Sequence, residues 1–467
     1  MKNQIVNLLS QNIEVLTSEE ISQLIEIPPK PEMGDFAFPC FRLAKSYHKA
    51  PPMIAQDLKE SIGDQAFLSE IKVVGGYLNF YVDKAQYAQQ IIDKYNNATD
   101  YGCSDQGKDK TICIDYSSPN VAKNFHVGHL RTTIIGNSLY KIFSKLGYKV
   151  VRINHLGDWG TQFGKLIVAY KKWGSREAVE EKGIEELMDI YVKFHEEAEK
   201  DDSLNDEARA WFLKMEQGNE EALEIWQWFR DISLKDSFAG ESFYRDKTAD
   251  VIKRLTDDGL LKESQGAMIV PLDEYDMPPC IVAKKDGSSI YATRDLAAIL
   301  YRKATYNFDR CLYVTGLEQK LHFAQVFKVI ELMGNDYAKN LVHIPYGLVS
   351  LKSGKISSRK GNVIFAEDLL RESINKTTSI IEEKNPDIPD KEEVAKQVGI
   401  GAIIFNDLYN QRIKDVIFDW NKLLNFDGET GPYVQYTYAR ASSVLRKIGE
   451  VPDTIDYTLL TDEASIG

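Results

Sequence analysis

Two short apolar runs enclose a helical pattern just after the first hundred residues. TICIDY (111–116) and YKVVRIN (148–154) are rich in β-branched residues, which predicts two strands. Between them, apolar residues from Leu130 to Leu146 recur at helical spacing, and Gly147 is a natural C-terminal cap. Strand, helix and strand in this order predict a βαβ unit, the building block of a doubly wound parallel sheet.

The rest of the pattern places this unit in a larger α/β fold. Residues 1–105 contain short amphipathic segments and close on VVGGYLNFYV (73–82), which predicts a strand within a small α+β module. Residues about 170–270 are polar and helical in pattern, without the turns of a separate sheet, and predict a helical insertion. CIVAKKDGSSIYAT (280–293) and DRCLYVTG (309–316) predict strands with which the parallel sheet resumes, each followed by a helix.

Composition excludes several classes of protein. A formal net charge of −13 does not suit a non-specific nucleic-acid coat, which needs clustered lysine and arginine. No apolar run approaches the ~20 residues of a membrane span, and the N-terminus lacks a signal-peptide cleavage site, so we expect a soluble cytoplasmic protein with no membrane partner. Five scattered cysteines without a CxxC pair argue against a zinc knuckle and a disulfide framework.

The segment HVGH (126–129) lies between a predicted strand and a predicted helix, where free helix N–H groups favour an anion. His126 and His129 can donate hydrogen bonds to phosphate oxygens, and Gly128 lets a nucleotide approach the backbone. A lone HxxH is more often a pair of surface histidines, and no third ligand at a suitable spacing makes it a metal site. In the basic loop KISSRKG (355–361), Lys355 can bind a departing pyrophosphate.

The pairing of HVGH with KISSRKG, in this order, is similar to the two signature motifs of class I aminoacyl-tRNA synthetases. The chain resembles arginyl-tRNA synthetases in particular in three longer strings and in two further segments, PPKPEMGDFAFPCF and GETGPYVQYTYAR. The three strings are DYSSPNVAKNFHVGHLRTTIIGN (115–137), NHLGDWGTQFG (154–164) and DGSSIYATRDLAA (286–298). The likeness spans nearly the whole chain. It implies a Rossmann-like parallel-sheet catalytic domain with an N-terminal α+β module and a helical C-terminal part.

The resemblance also implies an activity and a division into domains. L-arginine would be activated with ATP and Mg²⁺ to arginyl-adenylate and transferred to the 3′ end of tRNA(Arg), by an enzyme expected to be a monomer. The expected domains are a tRNA-binding module (1–105), the catalytic domain with its insertion (106–350), a signature loop with a stem-contact region (351–425) and the incomplete start of an anticodon-binding domain (426–467).

Carboxylates that accept paired N–H bonds are the best selectors of a planar guanidinium. Asp115, which ends the first strand, and Asp295, which begins a helix, are the candidates. The alternative is that Asp295 only caps its helix and Asp115 pairs with a lysine. The resemblance implies a fuller pocket, with the acids and the tyrosine at the guanidinium end and Asn120 and Gln319 nearer the amino-acid backbone. Its members are Asp115, Ser118, Asn120, Tyr291, Asp295 and Gln319.

The catalytic residues implied by the resemblance are His126, His129, Lys123 and Lys355, and ATP would bind to His126, Gly128, His129 and Lys355. Ser358 stands where the second signature usually has a lysine. Lys123 is expected to supply the missing charge, as in several relatives, unless it is a solvated loop lysine.

For tRNA, the resemblance implies that Tyr77, Asn79 and Phe80 present an aromatic ring and an amide to an unstacked base. A strand buried in a core is the alternative for Phe80.

Two other functions remain as alternatives. Intact HVGH, Lys355 and both acids argue against a catalytically silent tRNA-binding relative. The N-terminal module and the helical C-terminal part argue against a small-molecule adenylyltransferase. Because the chain stops at TDEASIG (461–467), about two helices into the expected anticodon-binding domain, we expect a truncated protein that binds tRNA weakly and charges it poorly.

Overall fold

The computed structural model divides the chain into two compact units, one of Met1–Tyr101 with Ile448–Gly467 and one of Gly102–Lys447. In the residues that the structure describes, no helix is both long enough and apolar enough to cross a membrane. The described residues are 1–120, 125–233, 240–283, 290–351, 354–355, 365–425, 428–449 and 455–459.

The first unit packs helices against a three-stranded antiparallel sheet of order β1-β3-β2. Its helices are α1 (Lys2–Asn12), α2 (Ser18–Leu24), α3 (Ala44–Tyr47), α4 (Pro51–Ile62) and α5 (Lys84–Asn97), and its strands are β1 (Phe36–Pro39), β2 (Leu68–Val74) and β3 (Tyr77–Val82). The prediction of one strand over residues 73–82 is wrong. Gly75, with φ +61°, and Gly76 form the turn of a hairpin between β2 and β3, and a Gly-Gly pair favours this tight turn.

The second unit contains the other strands and helices. Its strands are β4 (Thr111–Asp115), β5 (Lys149–Ile153), β6 (Lys262–Ser264), β7 (Ala267–Val270), β8 (Cys280–Ala283), β9 (Arg310–Gly316), β10 (Leu341–Tyr346), β11 (Val349–Leu351), β12 (Gly354–Lys355) and β13 (Val416–Phe418). Its helices are α6 (Val127–Lys145), α7 (Thr161–Trp173), α8 (Arg176–Lys182), α9 (Ile184–Ala198), α10 (Ser203–Glu216), α11 (Glu220–Ser233), α12 (Thr248–Asp257), α13 (Tyr291–Tyr306), α14 (Lys320–Leu332), α15 (Ala366–Lys384), α16 (Lys391–Tyr409), α17 (Trp420–Leu423) and α18 (Gly431–Ile448).

A parallel sheet of order β10-β9-β4-β5 organises this unit, so the predicted α/β class is confirmed. Alternate residues of β4 face opposite sides. Ile112 and Ile114 pack in a core that includes Ile135 of α6, whereas Cys113 packs in one that includes Leu296 of α13. Helices therefore cover both faces. After β4 the chain continues to a helix on one face of the sheet, and after β9 it continues to a helix on the opposite face. A crevice therefore opens beyond the carboxyl ends of these two strands.

Helices α7 to α11 follow β5 and have their own core, which includes Trp159, Phe163 and Phe194. The sequence predicted no separate sheet within residues about 170–270. This prediction is wrong, because β6, β7 and β8 form a three-stranded antiparallel sheet. Residues 280–283 therefore do not rejoin the parallel sheet. An apolar run identifies a strand but not its partner, whereas Gln265 and Gly266, both at positive φ, form a two-residue hairpin turn.

Candidate functional site

A cavity of about 420 Å³ lies at the carboxyl ends of β4 and β9. It is lined by residues that follow β4, by the first turn of α13 and by the turn that precedes α14. The structure brings together in its wall all the residues predicted for an arginine pocket: Asp115, Ser118, Asn120, Tyr291, Asp295 and Gln319.

Two acids of the wall are paired with arginines of the chain. The Arg302 Nη2 donates to Asp115 Oδ2 at 2.7 Å, and Ser118 Oγ donates to Asp115 Oδ1 at 2.9 Å. Glu241 Oε2 lies 3.0 Å from Arg294 Nε. Burial raises the pKa of Glu241 to about 8, a larger effect than the lowering by the charge of Arg294. An entering cation would therefore compete with a proton for this carboxyl group.

The third acid, Asp295, is paired with imidazole rings. His322 Nε2 donates to Asp295 Oδ2 at 2.6 Å, and His155 Nε2 lies 3.7 Å from Oδ1. Burial works to raise the pKa of Asp295, but the hydrogen bond from His322 and neighbouring positive charge hold it below its ordinary value. Burial also lowers the pKa of His155. Asp295 is thus an ionised carboxylate beside a ring that burial keeps neutral.

A second cavity of about 330 Å³ adjoins the first and shares Ser118, Asn120, Thr315 and Gln319 with it. Its wall contains the residues predicted to bind ATP at the first signature, His126, Gly128 and His129. A molecule in one cavity can therefore reach a molecule in the other at the four shared residues.

The second cavity is bounded by the N-terminus of α6, for which His126 is the cap. Gly128 N donates to His126 Nδ1 at 3.1 Å, and His126 N donates to His129 Nδ1 at 3.3 Å. The two rings stack with centroids 3.7 Å apart. Because Nδ1 accepts a backbone hydrogen bond in both rings, Nε2 is the nitrogen left to carry a proton. The helix dipole adds partial positive charge at the same place.

Residues 91–420 match the family model described as tRNA synthetases class I (R), catalytic domain, and residues 3–82 match the arginyl tRNA synthetase N terminal domain. The chain belongs to the arginyl-tRNA synthetase family. An arginine–tRNA ligase of Clostridioides difficile strain 630 is 56% identical, over 99% of this chain and 84% of the relative. One of Clostridium perfringens strain 13 is 57% identical, over 96% of this chain and 82% of the relative.

Solved structures of the family agree with the fold. The Thermus thermophilus arginyl-tRNA synthetase superposes with a TM-score of 0.75 at 25% identity, covering 94% of this chain and 80% of that one. The arginyl-tRNA synthetase of Plasmodium falciparum gives 0.76 at 22% identity, over 100% of this chain and 83% of that one, and shows the shared fold.

The lysines expected of a synthetase lie wholly or partly outside the described part of the chain. Lys123 and Ser358 lie outside the described residues. Lys355 ends β12, whose backbone pairs with β11, but its side chain is outside the described part. The assignment of Lys123 and Lys355 to the phosphates thus remains a prediction.

The residues expected to contact tRNA in arginyl-tRNA synthetases lie on β3 of the first unit. Tyr77 is half-buried, and its ring meets the half-exposed ring of Phe41 edge to face at 5.3 Å. Asn79 is 3% exposed and Phe80 is completely buried. For Phe80 the expected contact with a base is wrong and the alternative, a strand buried in the core, holds, because its side chain faces the core. The expected contact of Asn79 is corrected on the same ground, since its amide is almost fully buried.

Among the residues of the synthetase cavity that were not identified from the sequence are Glu241, His155 and His322. Glu241 is a single acid beyond a long polar segment and has the pattern of a solvated residue. His155 belongs to the family-like string NHLGDWGTQFG, and His322 follows Gln319 by one helical turn. That spacing was the available signal for His322, because residues three apart share a helix face.

Proposed function

We propose that the two cavities bind arginine and ATP for one reaction. The arginine carboxylate attacks the α-phosphorus of ATP and pyrophosphate departs. The arginyl-adenylate then passes its arginyl group to a terminal ribose hydroxyl of tRNA(Arg), and AMP departs. This is the activity of an arginine–tRNA ligase. The observation that carries the proposal is the junction at Ser118, Asn120, Thr315 and Gln319, where an acidic cavity meets a cavity at a helix N-terminus.

The acidic cavity suits a guanidinium group. Asp115 and Glu241 already face arginines of the chain, whereas Asp295 is paired with histidines and offers its charge to a substrate cation. The planar guanidinium can donate two parallel N–H bonds to that carboxylate, which the ammonium of lysine cannot do. Asn120 and Gln319 line both cavities, which supports their proposed role beside the backbone of the amino acid.

The second cavity suits the phosphates of ATP. His126 and His129 are proposed to donate from Nε2 to phosphate oxygens, while Lys355 and Lys123 neutralise the charge that develops on pyrophosphate. Among the described residues, no group of three His, Cys, Asp or Glu side chains can hold a metal ion, so Mg²⁺ is expected to arrive on ATP, whose phosphate charge it neutralises. Positioning and charge neutralisation carry catalysis, without a protein nucleophile.

The tRNA is proposed to meet Tyr77 of the first unit, where a half-exposed aromatic pair suits stacking on a base. The expected domain boundaries, 1–105, 106–350, 351–425 and 426–467, belong to the same proposal, as does a monomeric enzyme. A cytoplasmic location is proposed because tRNA is the substrate.

A catalytically silent relative is the competing function. ATP–pyrophosphate exchange tests both, with each amino acid in turn and with or without tRNA(Arg). Exchange that depends on arginine supports the ligase, and we expect it to require tRNA, as the family resemblance implies. Binding of tRNA without exchange for any amino acid would support the silent relative. Exchange with another amino acid would overturn the assignment of the acidic cavity.

A further inference from the structure

Asp158 is a buried acid that lies between the arginine cavity and the helical insertion. It is 1% exposed. The preceding residue, Gly157, lines the cavity, and the following one, Trp159, packs in the core of helices α7 to α11. An ionised carboxylate this deep in the protein is unfavourable unless several donors satisfy it.

The donors to Asp158 come from two separate segments. Ser242 N donates to Oδ1 at 2.8 Å and Ser242 Oγ donates to Oδ2 at 2.6 Å. From α11, Arg230 Nε lies 3.3 Å from Oδ2, and Trp226 Nε1 donates to the backbone oxygen of Asp158 at 2.7 Å. The side chain therefore joins α11, the last of the helices α7 to α11, to the segment at residue 242.

Ser242 directly follows Glu241, one of the three acids of the cavity. Glu241 N donates to Leu156 O at 2.9 Å, so the backbone on both sides of the Glu241 Cα is bonded to residues 156–158. The fit is close, since a Cβ on Gly240 would lie 2.6 Å from Asp158 Oδ1. These contacts fix the place from which the Glu241 carboxylate reaches the cavity.

We propose that Asp158 is a positioning residue for arginine binding: by holding Ser242 it orients Glu241 toward a guanidinium substrate. This inference rests on the proposed function, because it assumes that the acidic cavity binds arginine. ATP binding should be independent of Asp158, which is not part of the wall of the second cavity.

The test is a double-mutant cycle in which arginine and ATP are titrated separately by calorimetry into the full chain. Asp158→Asn keeps the shape but removes the charge, and should weaken arginine binding about tenfold, as expected for lost hydrogen bonds to a charged group. ATP affinity should stay within about twofold. In a Glu241→Gln background the same change should add less than about twofold, because coupled residues are not additive.

Two further variants keep the test decisive. Ser242→Ala removes one bond to Asp158 and should weaken arginine binding in the same direction even if Asp158→Asn does not fold. Phe194→Leu makes a cavity in the insertion core without touching Asp158, and should lower the melting temperature while leaving the arginine Kd unchanged.

Unchanged arginine affinity in Asp158→Asn and Ser242→Ala would overturn the proposal, and so would equal losses with and without the Glu241 carboxylate. If the unaltered protein binds no arginine, the proposed function itself fails, which is a separate result.

Discussion

Asp115, Glu241 and Asp295 lie in the wall of one cavity but have different partners. Arg302 and Arg294 face the first two, whereas His322 and His155 face Asp295. A guanidinium that enters this cavity gains most from the carboxylate that has no arginine beside it. Asp295 is therefore expected to contribute most to the selection of a cationic side chain, with Glu241 as a second, protonatable acceptor.

Replacing Asp295 with Asn should raise the arginine Kd about 100-fold, because a buried cation that loses its charged partner costs about 3 kcal/mol. ATP affinity should change little, since Asp295 is not in the wall of the second cavity. Calorimetric titration of each ligand measures both effects. Asp246→Asn removes an acid whose side chain is 79% exposed and is the matched control. Equal losses of arginine and ATP binding would remove Asp295 from its assigned role.

The raised pKa of Glu241 predicts a pH dependence of binding. Protonation of Glu241 stabilises the arginine-free folded protein. This stabilisation is complete below pH 4.5, the ordinary pKa of the group, and is lost as the pH rises through the raised pKa of about 8. Arginine competes with that proton, so its affinity should increase about tenfold between pH 7 and 9, with the larger part of the increase below pH 8, and then level off. Titrations in this range measure the effect. In Glu241→Gln the increase should disappear, and a flat profile for the unaltered protein would refute the competition.

The sequence could predict the part of the site that lies in contiguous strings. The six expected pocket residues share one cavity because they follow β4 and begin the helices after β8 and β9. Glu241 could not be found in this way, since it reaches the cavity through the contacts of Asp158, which no local pattern encodes. The pairing of Asp115 with Arg302 joins residues 187 positions apart, and the lysine that the alternative assumed proved to be an arginine.

At the level of elements, α6 is held in place by a buried arginine. Arg131, 1% exposed, donates to the backbone oxygens of Gly347 at 2.7 Å and Lys414 at 3.1 Å, and its Nε lies 3.1 Å from Asp407 Oδ1. Burial raises the pKa of Asp407 to about 6. These bonds tie the helix that carries HVGH to the chain that leaves β10, on two sides of the second cavity.

Arg131→Met should lower the free energy of unfolding of the second unit by about 3–5 kcal/mol, because the buried Asp407 loses its partner. Urea denaturation measures the loss. Adding Asp407→Leu should restore part of it, since a buried pair can be replaced by apolar residues. Arg176→Met, which removes an exposed partner of Glu180, should have no measurable effect. A loss no larger than that of Arg176→Met would show that Arg131 does not hold the helix.

The errors in predicted elements concern strand pairing. Residues 280–283 form a strand, as expected, but β8 joins β7 because the hairpin at Gln265 and Gly266 supplies a nearer partner than the parallel sheet. A hydrophobic pattern indicates which residues of a short strand are buried, but not which neighbouring strand it pairs with. The turn residues Gln265 and Gly266 were the part of the sequence that indicated a separate antiparallel sheet.

For the whole molecule, the two units are expected to divide recognition between tRNA and the small substrates. Tyr77→Ala should raise the KM for tRNA about tenfold, the typical effect of losing one base stack, while the arginine Kd stays unchanged. Initial rates of aminoacylation at varied tRNA concentration measure it. Tyr95, 63% exposed on α5, offers a matched control in Tyr95→Ala. A change in arginine affinity, or an unchanged KM for tRNA, would contradict this division.

The central claim, that the acidic cavity selects a guanidinium for transfer to tRNA, is tested most directly by charging tRNA(Arg) with arginine, lysine and citrulline in parallel. Citrulline has nearly the shape of arginine without its charge, and lysine has the charge without the planar fork. We predict ATP-dependent charging with arginine and a kcat/KM about 10⁴-fold lower for each analogue, as for a site whose buried polar groups are left unpaired. Comparable charging with citrulline, or no charging with arginine, would contradict it.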